Sequence, residues 1–198
     1  MRWCALICVG LCATFAPVGT ANAAIIGGTV TTMAPPANIG SDNQNVDIFL
    51  GFNERQNVLL TAPLETDDPA GTIAAGTWVS SHYIFYDPGP TDTITGTAVF
   101  DEDILGMMTS TETLTASEFL GAPGTNYLNP TLLGLEAGSD TAAITDSRTV
   151  TVTLQASSPG DYIRVVTTPE PASLALLAIA GAATLSRRRR RSRQTSVK

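Results

Sequence analysis

Beyond Cys12 the chain has no cysteine, and the three it does have, Cys4, Cys8 and Cys12, sit close to its start. A disulfide framework, a thiolate metal site and a cysteine nucleophile are thereby excluded from everything downstream. Histidine is nearly as scarce. His82 is the single one, so a zinc site of the usual nitrogen and sulfur ligands is poorly supplied. A serine–histidine–acid catalyst would have to use His82, but Ser80 and Ser81 are its near neighbours along one segment and no G-x-S-x-G elbow is present. Positive charge is missing too. Between Ala24 and Thr168, three basic residues (Arg55, Arg148, Arg164) stand against seventeen Asp or Glu, a balance of −14. That sign opposes contact with phosphate backbones, which argues against a nucleic-acid partner. It suits a soluble, self-repelling surface that meets divalent cations.

What is present is concentrated at the two ends. Residues 1–23 read as a signal peptide: Arg2 is a minimal basic region and Trp3–Ala16 an apolar helix too short to span a bilayer with ease. Pro17 and Gly19 break that helix, and Ala21-Asn22-Ala23 gives a small-x-small cleavage pattern, placing the cut after Ala23. Leu11 and Ile7, which precede Cys12 and Cys8, are too bulky for a lipoprotein signal. At the other end, Ala172–Ser186 would rise about 22 Å as a helix at ~1.5 Å per residue. That is a short span against a hydrocarbon core of about 30 Å. Arg187, Arg188, Arg189, Arg190 and Arg191 follow it as a cytoplasmic anchor, and Pro169 and Pro171 stop the helix from extending backwards.

Pro169-Glu170-Pro171, the Ala/Leu/Gly-rich segment and the arginine cluster stand in the order of the PEP-CTERM sorting tail, which residues 169–193 closely resemble. The resemblance implies a Gram-negative-type envelope and an exosortase, a membrane transpeptidase with a cysteine nucleophile that cuts near the Pro-Glu-Pro. The expected route is an inner-membrane-anchored precursor, then the cell surface or extracellular matrix. In the middle, "FNERQNVLL", "AGTWVSSHYIFYDPG", "GTAVFDEDILGMM" and "SPGDYIRVVT" loosely resemble a group of exported PEP-CTERM proteins. That likeness implies family identity and no chemistry.

Residues 24–168 read as one all-β domain. "NVDIFLGF" places Val46, Ile48, Leu50 and Phe52 at period two. "NERQN" then reads as the turn of a hairpin leading into "QNVLLTAPL". Thr77–Tyr86 carries bulk on both faces, which makes it a central strand. "DTITGTAVFD", "DILGMM", "SRTVTVTLQAS" and "DYIRVVT" supply further strands, and "TASEFLG", with Thr115 and Glu118 as a capping box, reads as a short helix. The fold expected is a jelly-roll-like β-sandwich of antiparallel strands with one short helix, flanked by an N-terminal signal helix and a C-terminal transmembrane helix.

Candidate chemistry is sparse. Asp101 and Asp103 flank a turn and could hold calcium, against a reading as solvated turn acids, and no EF-hand loop is present. Trp78 and Tyr86 could form a sugar-stacking platform, although Trp78 in a central strand reads first as core. The expectation is an exported structural or adhesive module with no catalytic residues, processed by signal peptidase and an exosortase, with calcium as the only cofactor under consideration. The alternatives are a calcium-assisted module that binds exopolysaccharide and a carboxylate-dependent hydrolase.

Overall fold

The computed structural model of the protein describes residues 22–41 and 44–169. The signal helix, Ala21 of its cleavage pattern, the transmembrane helix, Glu170, Pro171 and Arg187–Arg191 lie outside the described residues. Among the described residues no helix is long and apolar enough to cross a membrane.

The strands are β1 (Ile25–Gly28), β2 (Thr31–Thr32), β3 (Asn38–Ile39), β4 (Val46–Asn53), β5 (Val58–Leu59), β6 (Leu64–Asp67), β7 (Ala70–Ile73), β8 (Trp78–Asp87), β9 (Asp92–Phe100), β10 (Ile104–Met108), β11 (Asn126–Tyr127), β12 (Thr141–Asp146), β13 (Thr149–Ala156) and β14 (Asp161–Thr167). One α-helix, α1 (Thr111–Ala116), and 3₁₀ turns at Glu118–Leu120 and Pro130–Leu132 complete the elements among the described residues. Four strands form one sheet in the order β1-β9-β13-β12. A second runs β10-β14-β8-β4-β2, with β5 also on β8. The pairs β3–β11 (parallel) and β6–β7 (antiparallel) are separate.

The alternation of side chains decides how these sheets stack. Val150, Val152 and Leu154 of β13 meet Ile84 and Tyr86 of β8 and Ile163 and Val165 of β14 in one buried cluster, so the two large sheets share a core. The opposite face of the six-stranded sheet presents Tyr83, Phe85, Tyr162 and Val166. It is covered by Leu114 of α1, Leu120, and Leu64 and Ile73 of the β6–β7 hairpin. The middle sheet is therefore buried on both sides. That is why β8 is buried at every residue after Trp78, as the bulk on both its faces leads one to expect. Each fully buried large apolar side chain here contributes about 1.5–3 kcal/mol.

Three local expectations are corrected. The "NERQN" stretch is not a hairpin turn. β4 and β5 both pair antiparallel with β8 (Asn53↔His82, Val58↔Val79), so they continue one another along a single edge. The detour between them turns Glu54 into the interior, where it is 5% exposed. The period-two pattern of β4 also breaks. Its register shifts between Val46 and Leu50, leaving Ile48 exposed and Phe49 buried. Finally, the helix begins a turn earlier than the Thr115–Glu118 pattern implies. Ser110 is its N-cap, accepting from Thr113 N, while Thr115 Oγ1 donates to Thr111 O inside the helix.

Candidate functional site

Ala24 and Thr168 meet at one acidic turn. Asp101, which follows β9, accepts from Ala24 N at its Oδ1 (2.7 Å), and Asp101 N donates back to Ala24 O (3.1 Å). On the other side of the turn, Thr168 N donates to Asp103 O at 2.8 Å. Asp103 Oδ1 also receives Arg148 Nε at 3.0 Å. The two carboxylates expected to share a cation therefore have separate partners, one a backbone amide and the other a guanidinium. Ala23, the residue before the expected signal cut, is buried. β14 runs through the middle sheet to Thr167, and Pro169 follows half-buried.

The aromatic platform does not assemble. Trp78 stands 54% exposed at the start of β8, contrary to its reading as core, but Tyr86 at the far end of the same strand is 1% exposed. Tyr86 lies between the two sheets with only its hydroxyl engaged, donating to Asp92 Oδ2 at 3.1 Å.

His82 is fully buried between β4 and β14. Nδ1 lies 2.9 Å from Asn53 Oδ1, which can only accept, so this nitrogen carries the proton. Nε2 then accepts from Thr167 Oγ1 at 3.1 Å. The ring packs on Phe100 at 4.9 Å between centroids. Burial pushes its pKa down to about 3.

On the opposite face of the same sheet lies a buried ion pair that composition alone did not disclose. Arg164 Nε and Nη2 donate to Glu54 Oε2 (2.6 Å) and Oε1 (2.8 Å), a two-point contact. Nη1 donates to Leu114 O and Ser117 Oγ, tying the sheet to α1. Ser81 Oγ and Tyr127 OH also donate to Glu54, and the guanidinium carbon sits 5.1 Å from the centre of the Tyr83 ring. Burial opposes the charge on Arg164, but Glu54 outweighs it and holds the guanidinium above its ordinary pKa.

Sequence reasoning also passed over a cleft of about 570 Å³ lined by Thr111 of α1, the segment 131–136 and the turn between β13 and β14. Glu136 and Asp161 line it, and an oxygen of each lies with one of Asp140 in a group all within 4.8 Å of one another. Asp140 is fixed by two backbone amides. Oδ2 accepts from Glu136 N and Oδ1 from Gln155 N, both at 2.7 Å. Gly138, at φ +100°, closes the turn between Glu136 and Asp140. Gly160, at φ +90°, brings the chain so close to β8 that an added Cβ would lie 2.6 Å from Tyr86 O, and this sets Asp161 in place. The signal available in the sequence was an acid opening a buried, mostly apolar strand, Asp161, and a Glu-x-x-x-Asp turn around a glycine.

A family model for the PEP-CTERM protein-sorting motif matches residues 167–191. No curated protein and no solved structure matches the chain. The match starts on the last residue of β14 and covers the tail whose proline and arginine pattern resembles that motif. The chain therefore carries a PEP-CTERM protein-sorting motif at residues 167–191, which points to an exported protein sorted by an exosortase.

Proposed function

We propose that residues 24–168 form a non-catalytic structural or adhesive module, a jelly-roll-like sandwich displayed on the cell surface or in the extracellular matrix. In this reading signal peptidase cuts after Ala23, and residues 172–186 hold the precursor in the inner membrane with Arg187–Arg191 inside. The exosortase then cuts near Pro169-Glu170-Pro171. The observation that carries it is where the motif begins. Thr167 is both the last residue of β14 and the first of the motif match. Cleavage a few residues later would release the whole sandwich without unpairing a strand. β14 is also hydrogen-bonded along both edges, to β10 and to β8, so a pull through its end would load two ladders at once.

His82 supports the absence of catalysis. Both ring nitrogens are engaged by protein partners, and burial denies a substrate access to them. Exposed Trp78 and the carboxylate cleft favour calcium-assisted polysaccharide binding as the second reading. The hydrolase reading has less support, since the converging oxygens lie within 4.8 Å, whereas paired glycosidase carboxyls stand roughly 5–9.5 Å apart.

The test is the triple substitution Pro169→Ala, Glu170→Ala, Pro171→Ala. Export should persist, because the signal peptide is a separate device, while a larger membrane-bound form accumulates. Wild-type amounts of the mature surface species in this variant would contradict the reading.

A further inference from the structure

Glu136 and Asp161 line one cleft with Asp140 beside them, and one oxygen of Asp161 has no hydrogen-bond donor facing it. Asp161 is 3% exposed and its Oδ2 is buried without a hydrogen-bond partner. A buried carboxylate oxygen left bare is destabilising unless something meets it. The carboxylates it faces are Glu136 and Asp140, and Glu136 can hydrogen-bond to it only when one of the two carboxyls is protonated. Burial, then Asp140 and Glu136, push the Asp161 carboxyl up to about 8. Burial, then Asp140, also raises Glu136. A proton or a metal cation would relieve the same repulsion.

We propose that Glu136, Asp140 and Asp161 bind a calcium ion that pins the turn before β12, in the four-stranded sheet, to the start of β14, in the six-stranded sheet. The donors are all hard oxygens, with neither histidine nor cysteine among them, which selects calcium or magnesium over softer metals. Two oxygens at ~2.4 Å from one calcium ion span at most ~4.8 Å, whereas at the ~2.1 Å of magnesium they span at most ~4.2 Å. The three oxygens all lie within 4.8 Å of one another, inside the reach of one calcium ion. Asp140 keeps lone pairs free beyond its two backbone bonds. Ser139, Gln155 and Ser158 also line the cleft and bring further oxygens to its wall. The site lies apart from Asp101 and Asp103, and it stands whether or not the domain binds a polysaccharide.

The experiment is a calorimetric calcium titration of the purified full-length chain after chelator treatment, with thermal melting alongside. The wild type should bind one calcium per chain and melt at a higher temperature with it. Asp161→Asn should weaken binding at least about tenfold and lose the calcium-dependent rise. In chelator this variant should melt no lower than the wild type, because it removes a buried repulsion. Glu136→Gln, on the exposed rim, should weaken binding in the same sense without threatening the fold. Asp103→Asn should bind as the wild type does. No binding by the wild type would overturn the proposal, as would wild-type affinity in both Asp161→Asn and Glu136→Gln. Full competition by magnesium at equal ionic strength would also overturn it, since binding would then be diffuse screening of acidic charge.

Discussion

His82 and Asp161 act on stability in opposite directions as pH changes. The folded protein holds His82 neutral down to about 3, while the unfolded chain protonates it near 6.5. The unfolded state then carries the extra proton, so stability is lost as pH falls through that interval. Asp161 binds its proton up to about 8 when folded and only to 3.8 when unfolded, so stability is lost as pH rises between those values. Glu136, also raised, acts in the same sense as Asp161. In chelator, melting temperature should therefore vary less between about pH 4 and 6.5, where His82 opposes the two acids, than from about 6.5 to 8, where it should fall. In His82→Gln the fall should extend across the whole range, because the opposing histidine is gone. The same variant should cost about 1 kcal/mol per hydrogen bond it fails to replace. His82→Ala should cost more, since the ring packed on Phe100 leaves a cavity. Loss of a measured activity in His82→Gln with an unchanged melting curve would sink the structural reading of this residue. The buried pair gives a second residue-scale test. Glu54→Gln strands the Arg164 guanidinium and should cost about 3–5 kcal/mol. Replacing Glu54 and Arg164 together by methionine should cost far less than the two single changes summed, measured by denaturant unfolding.

Among the elements, the one most dependent on a single side chain is α1. Asp67, at the end of β6, accepts from Thr109 N (2.7 Å), Ser110 N (2.8 Å) and Thr113 Oγ1 (2.6 Å). It thus places a carboxylate at the helix start and ties the β6–β7 hairpin to it. Burial works to raise its pKa, but the bonds from Thr113, Thr109 and Ser110 prevail and lower it. Asp67→Asn should destabilise the protein by about 1–3 kcal/mol above pH 4, an effect that shrinks as pH falls through the carboxylate range. Elements set by side-chain alternation were legible in the sequence. β8, β9, β13 and β14 appear where runs of β-branched and aromatic residues place them. Elements set by tertiary partners were not. "NERQN" looks like a turn because Glu54 is a charge, and only Arg164, 110 residues away in the chain, makes it an inward-facing member of the sheet edge. Glu136 and Asp140 lie in the turn before β12 and Asp161 opens β14 in the other large sheet, so their meeting could not be read from spacing. Tyr86 and Trp78 share a face by alternation, yet one is covered and the other is not, because cover depends on where the second sheet ends.

At the scale of the molecule, three layers are locked from inside. A core lies between the two large sheets, and a second core and the Arg164–Glu54 pair lie under α1 and the β6–β7 hairpin. The middle layer ends in the strand that leads into the sorting motif. Ala24 and Thr168 leave the sandwich beside one another at the Asp101–Asp103 turn. Cleavage after Ala23 would place a new ammonium where the Ala24 amide now donates to Asp101. Asp101→Asn should then lower the melting temperature of the mature protein more than that of the precursor. The measurement that bears most directly on display of this domain is the intact mass of the species recovered from the cell surface. The expected mass corresponds to a chain that begins at Ala24 and ends close to Pro169–Pro171. A surface species still carrying Lys198 would contradict it.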